Sequence, residues 1–415
     1  MRNKFSIFAF IVAVAMLNAC NKTNEPAPVN ESVAGEVSGV WTKGGTYTVK
    51  NHLIIPEGKS LTIEEGVKVI FADSVIKPEV IVRGNLFILG TAANPVQLTV
   101  PDAFKTAANK WGRMWGGLIC AKTSQELLIQ HAVLEYGGAT TTEASPSVKA
   151  GLFKAAAGEG VPGINFINEN GTFVIQNSRM NNFAEDIMYI EGGKCIVSNN
   201  LFYTSGQNGG DAVNIKSGVL ADVAFNVIYS PNTNAIKLSN AGEKSPQIYV
   251  KAYNNTFINA GWRRPTIKGG SVWVETSARA EVVNNLYVNN RFGFKRDTKK
   301  PEDSRTFASN NFFYGFTETC VKQFQPDKEI IAGTNDIRGT KAGENDPKFV
   351  NFPLNNPEMS PDFNTAWDFK VQTGSPVLGK GRTDFAPHFT AGLTLGGKSY
   401  TAPAPASYIG AKGTN

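Results

Sequence analysis

The chain is expected to fold as an all-β parallel solenoid, and three features of its sequence carry that expectation. The first is a recurring Asn-centred motif: Val174-Ile175-Gln176-Asn177, Ile196-Val197-Ser198-Asn199-Asn200-Leu201-Phe202, Val223-Ala224-Phe225-Asn226-Val227-Ile228-Tyr229, Lys251-Ala252-Tyr253-Asn254-Asn255-Thr256-Phe257, Glu281-Val282-Val283-Asn284-Asn285-Leu286-Tyr287 and Phe307-Ala308-Ser309-Asn310-Asn311-Phe312-Phe313. It returns every ~25 residues, the signature of stacked structural repeats. The second is that the flanking residues alternate with period two, where a helical repeat would place apolar residues three and four apart. The third is composition. With 41 Gly, 21 Pro and only 18% charged residues among 415, the chain is rich in turns and has ample apolar material for a core. Disorder and coiled coil are both excluded.

The repeated Asn has a physical role. Asn tolerates the left-handed backbone region that a tight corner needs, and its amide can bond to the Asn one rung away. Asn177, Asn199, Asn226, Asn254, Asn284 and Asn310 are therefore expected to stack as a ladder that satisfies buried polar groups.

In chain order, residues 1–19 read as an export signal. Arg2 and Lys4 precede an apolar run from Phe5 to Met16 that is too short to span a bilayer. The run ends in Leu17-Asn18-Ala19-Cys20, which resembles the bacterial lipoprotein signal. That resemblance implies that Cys20 becomes the acylated first residue, with palmitate among its chains, and several chains anchor stably where one does not. Asn21, where an Asp would imply inner-membrane retention, points the resemblance to the outer membrane. Residues 20–39, rich in Asn, Glu, Pro, Val and Ser, read as a flexible tether. Without Arg2 and Lys4 the 41 basic residues fall to 39 against 35 acidic ones, a net of +4. That bias is too mild to imply nucleic acid as a partner. Cys120, Cys195 and Cys320 are odd in number, widely spaced and set among apolar residues. They are expected as small buried core residues rather than a disulfide or metal site.

Residues 40–322 are expected to form the solenoid. Before residue 174 the period loosens, but Leu53-Ile54-Ile55, Leu61-Thr62-Ile63, Val67-Lys68-Val69-Ile70-Phe71, Val80-Ile81-Val82 and Leu86-Phe87-Ile88-Leu89 remain strand-like across Gly58, Gly66 and Gly84. The run Pro56-Glu57-Gly58-Lys59-Ser60-Leu61-Thr62-Ile63-Glu64-Glu65-Gly66-Val67 resembles the entry rungs of right-handed parallel β-helix lipoproteins of Bacteroidetes type, which have a pectin-lyase-like fold. Trp115-Gly116-Gly117-Leu118, Asp346-Pro347-Lys348-Phe349-Val350, Gly374-Ser375-Pro376-Val377-Leu378 and Ile409-Gly410-Ala411 continue the likeness through residues 40–411. It implies a right-handed β-helix of roughly eleven rungs, a rod roughly 50 Å long at ~4.8 Å per rung. It implies little about activity, since a shared fold does not transfer chemistry. Both ends need covers against edge pairing. Gly35–Lys50 is expected to cap the start, residues 323–415 to cover the other end, and Gly137–Gly163 to leave the rod as a loop.

The strands that follow the Asn corners align as Asp186–Glu191, Asp211–Lys216, Asn234–Ser239, Pro265–Lys268 and Gly293–Lys295. With Ile190, Ile215, Leu238, Ile267 and Phe294 pointing inward, Lys216, Lys237, Lys268 and Lys295 share one outer face, beside a loop carrying Trp262, Arg263 and Arg264. Stacked like charges are mildly destabilising, so their retention suggests an acidic polysaccharide lying along the rod. The plainer alternative is a solvated face on which Lys guards the sheet. A polysaccharide lyase acting on uronic-acid glycans is the enzymatic alternative, with Lys216 or Lys268 as base and Arg264 neutralising the substrate carboxylate. The wall motifs and acidic calcium cluster of pectate lyases are absent, as are the paired Asp segments of polygalacturonases. Asp186, Asp211 and Asp222 read as corner residues, and His52, His131 and His388 have no metal or triad spacing. No metal and no cofactor are expected. An envelope scaffold docking on an outer-membrane protein partner is the structural alternative.

Overall fold

The computed structural model describes residues 28–152, 156–242 and 244–414. Cys20 and residues 1–19, read above as an export signal, lie outside the described residues. The chain is a right-handed parallel β-solenoid of about eleven turns with almost no helix. One turn shows the plan: Gly193–Ser198 lies on face A, Leu201–Ser205 on face B and Val213–Ile215 on face C. Face A is a ten-stranded parallel sheet. Faces B and C are joined at the start because Asn30–Glu36 and Thr46–Ile55 bend through the corner and serve both.

Strand alternation packs the core. On face B, Met180, Phe202, Ile228, Phe257, Tyr287 and Phe313 align in register and point inward, all buried. Tyr287 stacks on Phe313 with ring centroids 4.5 Å apart and meets Phe257 edge-on at 5.3 Å. Each such aromatic removes a large area from water, the main favourable term in the fold.

The A–B corner divides the work expected of one Asn between two. Asn177, Asn199, Asn254, Asn284 and Asn310 hold the left-handed backbone, and Phe225 does so in the turn between. The residue after each forms the ladder. Asn200, Asn226, Asn255, Asn285 and Asn311 are buried, and Oδ1 of each accepts the backbone N–H of the preceding rung at 2.9–3.1 Å. Their Nδ2 groups donate to carbonyls such as Val223 O (2.9 Å, from Asn255). Asn226 thus belongs with Asn200 and Asn255, not with Asn199 and Asn254. The ladder ends on Asp336, which accepts from Asn311 and pairs with Arg338 at 2.6 Å.

Three boundaries differ from expectation. Asn30–Glu36, within the 20–39 segment read as a tether, is a strand that sets Val33 into the core and pairs with Thr46–Ile54. A single inward apolar residue leaves no readable period. The 137–163 segment does not leave the rod. Val161 and Leu152 pack on Ile81 and Ile119 of face C, and Ser147 donates to the buried Glu79 from N (3.0 Å) and Oγ (2.8 Å).

The third difference concerns the C-terminal segment. Only its beginning covers the rod end: Phe324, after the helix Glu318–Gln323, packs on Phe313, and Ile337–Arg338 adds a last strand. The rest turns back along the flanks. Phe349, Phe352, Phe369, Val371 and Val377 cover Tyr229, Ile258, Val288 and Tyr314 of face B, while Phe389, Leu393 and Leu395 cover Leu128, Val174 and Ile196 of face A. The left-handed corner Asn residues hold this arm: Asn254 Nδ2 donates to Tyr408 O (2.7 Å), Asn284 Nδ2 to Arg382 O (2.8 Å) and Asn310 Nδ2 to Lys380 O (3.0 Å). These apolar outward residues make lateral burial more favourable than end capping.

Candidate functional site

Face C carries a column of outward side chains in strict register. Ile81 and Ile119 lie under the 137–163 segment, and then follow Asn165, Tyr189, Asn214, Lys237, Trp273 and Lys295. The amide oxygens Oδ1 of Asn165 and Asn214 are buried and have no hydrogen-bond partner.

The expected row of four lysines does not form. Val272–Glu275, not Pro265–Lys268, is the strand of its turn, and Ile267 is exposed at 68%. Val272 and Val274 flank Trp273 with the alternation a buried strand needs, whereas Ile267 stands alone among polar residues. The longer turn therefore leaves 261–270 as a loop with Lys268 exposed on it. Lys295 moves two residues with the register and stands in line with Lys237 and Trp273, not with Lys216.

The charges are also answered. Lys237 pairs with Glu275 (3.5 Å) and Lys295 with Glu329 (3.0 Å), and Lys295 sits 3.7 Å from the Phe292 ring centroid. Lys216 makes no ion pair among the described residues, and its ammonium lies 5.7 Å from the Tyr189 ring centroid. Burial first, and then the neighbouring Lys237, hold its pKa below the ordinary lysine value, with Glu275, Asp211 and Asp186 opposing.

The loop residues are structural. Trp262 Nε1 donates to Asn289 O (2.6 Å). Arg263 donates to Gly206 O, Ser205 O and Ser230 O, each at 2.7 Å, and stacks over Trp111; burial lowers its pKa to about 10. Arg264 donates to Thr233 Oγ1 (3.0 Å) and keeps a buried, unpartnered Nε. Asp186 and Asp211 are corner residues: Asp186 Oδ1 accepts from Asp211 N (2.7 Å), and Asp211 Oδ1 from Asn234 N (3.0 Å). Burial raises the pKa of both, and in Asp186 the charge of Asp211 adds to it. Trp273 and Glu275 escaped the sequence reading, although the Val-Trp-Val alternation marks their strand. Asp222, the third expected corner Asp, instead holds the arm, accepting His388 N (3.0 Å) and Phe389 N (2.9 Å).

A parallel solenoid entered through such rungs has a counterpart among known families. Residues 34–150 match the family model of the pectate-lyase like beta helix domain. The match covers the first turns, ahead of the polar column on face C. No curated protein and no solved structure matches the chain. Among the described residues no three His, Cys, Asp or Glu side chains stand together as a metal site, and no helix is long and apolar enough to cross a membrane.

Proposed function

We propose that this protein is an outer-membrane lipoprotein, anchored through Cys20, that binds an acidic polysaccharide along face C. The observation that carries the reading is the column Asn165, Tyr189, Asn214, Lys237, Trp273 and Lys295, with the unpaired Lys216 beside it. Six successive strands at ~4.8 Å spacing present a ribbon about 24 Å long. Amides, aromatic rings and ammonium groups, here the part-buried Lys237 and the buried Lys295, are the side chains that meet sugar hydroxyls, ring faces and carboxylates. Lys216 is the group for a carboxylate, because the two lysines beside it already have partners.

The test is retardation of the full chain, in detergent, through native gels cast with acidic or neutral polysaccharide. Acidic gels should retard the protein, and Lys216→Ser or Trp273→Ala should abolish the effect while Lys268→Ser leaves it intact. Equal mobility in every gel would remove the reading.

The lowered pKa of Lys216 supports lyase chemistry as a second reading. The neutral amine would take the proton beside the uronate carboxylate, the electron pair left behind would form the new C=C bond as the glycosidic C–O bond breaks, and the leaving oxygen would take a proton from water. Lys268, exposed on its loop, no longer stands as a base. Unsaturated-uronate absorbance that persists in Lys216→Ala would sink this assignment.

A further inference from the structure

The returning arm does more than cover face B. Where it lifts away from the rod it leaves a cavity of about 360 Å³, lined on the rod side by Arg179, Asn199, Leu201 and Tyr203 and on the arm side by Phe363, Trp367, Phe369, Lys370 and Lys412. The volume lies toward the small end of the ~300–1,000 Å³ typical of ligand pockets. Phe363 stacks on Tyr203 at 4.1 Å with ring planes 14° apart, so one wall is a fixed aromatic surface. The Phe363 segment is itself pinned, since Pro361 O accepts from Thr204 Oγ1 (2.7 Å) and Ser360 O from Tyr229 Oη (3.1 Å).

Charge is the unusual feature. Arg179, Lys370 and Lys412 converge on this cavity against one carboxylate, Asp368. None of the three cations has an ion pair among the described residues, and the Nε of Arg179 is buried without a hydrogen-bond partner. Burial first, and then Lys370, hold the pKa of Lys412 down, with Asp368 opposing. Lys370 and Lys412 stand exposed on the arm side of the cavity. An anion in the cavity would meet all three cations and give the buried Nε of Arg179 the partner it lacks.

Register explains why the cavity lies here. Arg179 occupies the outward position that Leu201, Val227, Thr256, Leu286 and Phe312 fill in later turns. The apolar strip that seats the arm ends at this residue. Past it, Arg179 also lines an adjoining cavity of about 340 Å³ with His131 and Asn177, so the site opens along the rod.

We propose that this cavity is a binding site for a single-ring carboxylate of the sugar-acid class. The aromatic wall takes the ring face, and Arg179 with Lys370 and Lys412 takes the carboxylate. The site is on face B and shares no residue with the face C column, so it stands or falls separately from the polysaccharide reading. The ligand is either a free sugar acid or the acidic end of a chain entering from the adjoining cavity.

Titration calorimetry on the full chain in detergent decides it, with glucuronate, an oligosaccharide ending in glucuronate, and glucose as probes. Glucuronate should bind and glucose should not. Arg179→Gln, and separately Lys370→Gln with Lys412→Gln, should weaken binding by about tenfold or more, the scale of a lost charge-assisted bond, while Lys216→Ser leaves it unchanged. Binding of the oligosaccharide as well as the monomer identifies the chain end as an occupant, and binding of the monomer alone identifies the free acid. The proposal is overturned if glucose binds as well as glucuronate, if neither acid binds, or if the cation variants bind as the parent does. The lysine variants lie on the arm surface and keep the test open should Arg179→Gln fail to fold.

Discussion

Faces B and C are built from the same turns and share one core, and yet meet different surroundings. The outward positions of face B from Leu201 to Phe312 are mostly apolar, with Thr256 among them accepting Ala411 N (2.9 Å), and the arm seals them. The corresponding positions of face C past Ile119 are amide, aromatic and cationic, and 349–411 of the arm packs on faces A and B instead. Inward residues and corner asparagines therefore specify the rod, while every second outward residue decides what each face touches. Face B shows the same rule within itself. Up to the turn of Arg179 the outward column beside it is the polar set Thr99, Glu135 and Asn181, with Thr99 Oγ1 donating to Glu135 at 2.6 Å, and there the apolar covering stops.

The comparison can be broken hardest by removing the covering. Ending the chain after residue 345 should expose the apolar strip of face B and give aggregated protein that binds a hydrophobic dye, read by soluble yield and dye fluorescence. A soluble, monomeric rod from that truncation would mean face B needs no partner. The next effect falls on the A–B corner from which each strand of face B starts. Asn255→Ala leaves Asn226 N–H and Val223 C=O unpaired in the core and should cost about 2–4 kcal/mol in denaturant unfolding, at ~1–3 kcal/mol per buried group.

A smaller effect separates arm from rod. Asp222→Ala removes the acceptor of His388 N and Phe389 N and should raise amide exchange in 385–402 by the equivalent of about 1–2 kcal/mol, with the rod strands unchanged. The smallest is confined to binding on face C. Lys216 must carry its proton to hold a carboxylate, and its pKa is lowered. Retention by acidic polysaccharide should therefore be full at neutral pH and fall as pH rises through that value, below the ~10.4 of an ordinary lysine. Lys216→Gln should erase that step in a pH series of binding measurements.

Much of the rod was legible because its determinants are local. Doubled Asn residues after period-two runs announce both corner and strand, and the buried cysteines follow from their apolar neighbours. The division of labour between Asn254 and Asn255 was not legible, since the same residue type suits a left-handed corner and a buried ladder. Face C was misread where its turn lengthens, because Ile267 mimics an inward residue in a segment that loops out. Its neutralising carboxylates were hidden for another reason: Glu329 reaches Lys295 from beyond the rod's last turns. The arm's course depends on contacts such as Asn254 with Tyr408, more than 150 residues apart, which no local pattern records.

The central claim, that face C is the surface meeting an acidic polysaccharide, is tested most directly by zero-length coupling. A carbodiimide joins carboxylates of the bound glycan to the amines that touch them, and peptide mass mapping then locates the sugar. The account predicts attachment at Lys216, lost with an excess of free acidic polysaccharide. Attachment confined to lysines of the open surface, such as Lys268 and Lys398, with Lys216 unmodified, would contradict it.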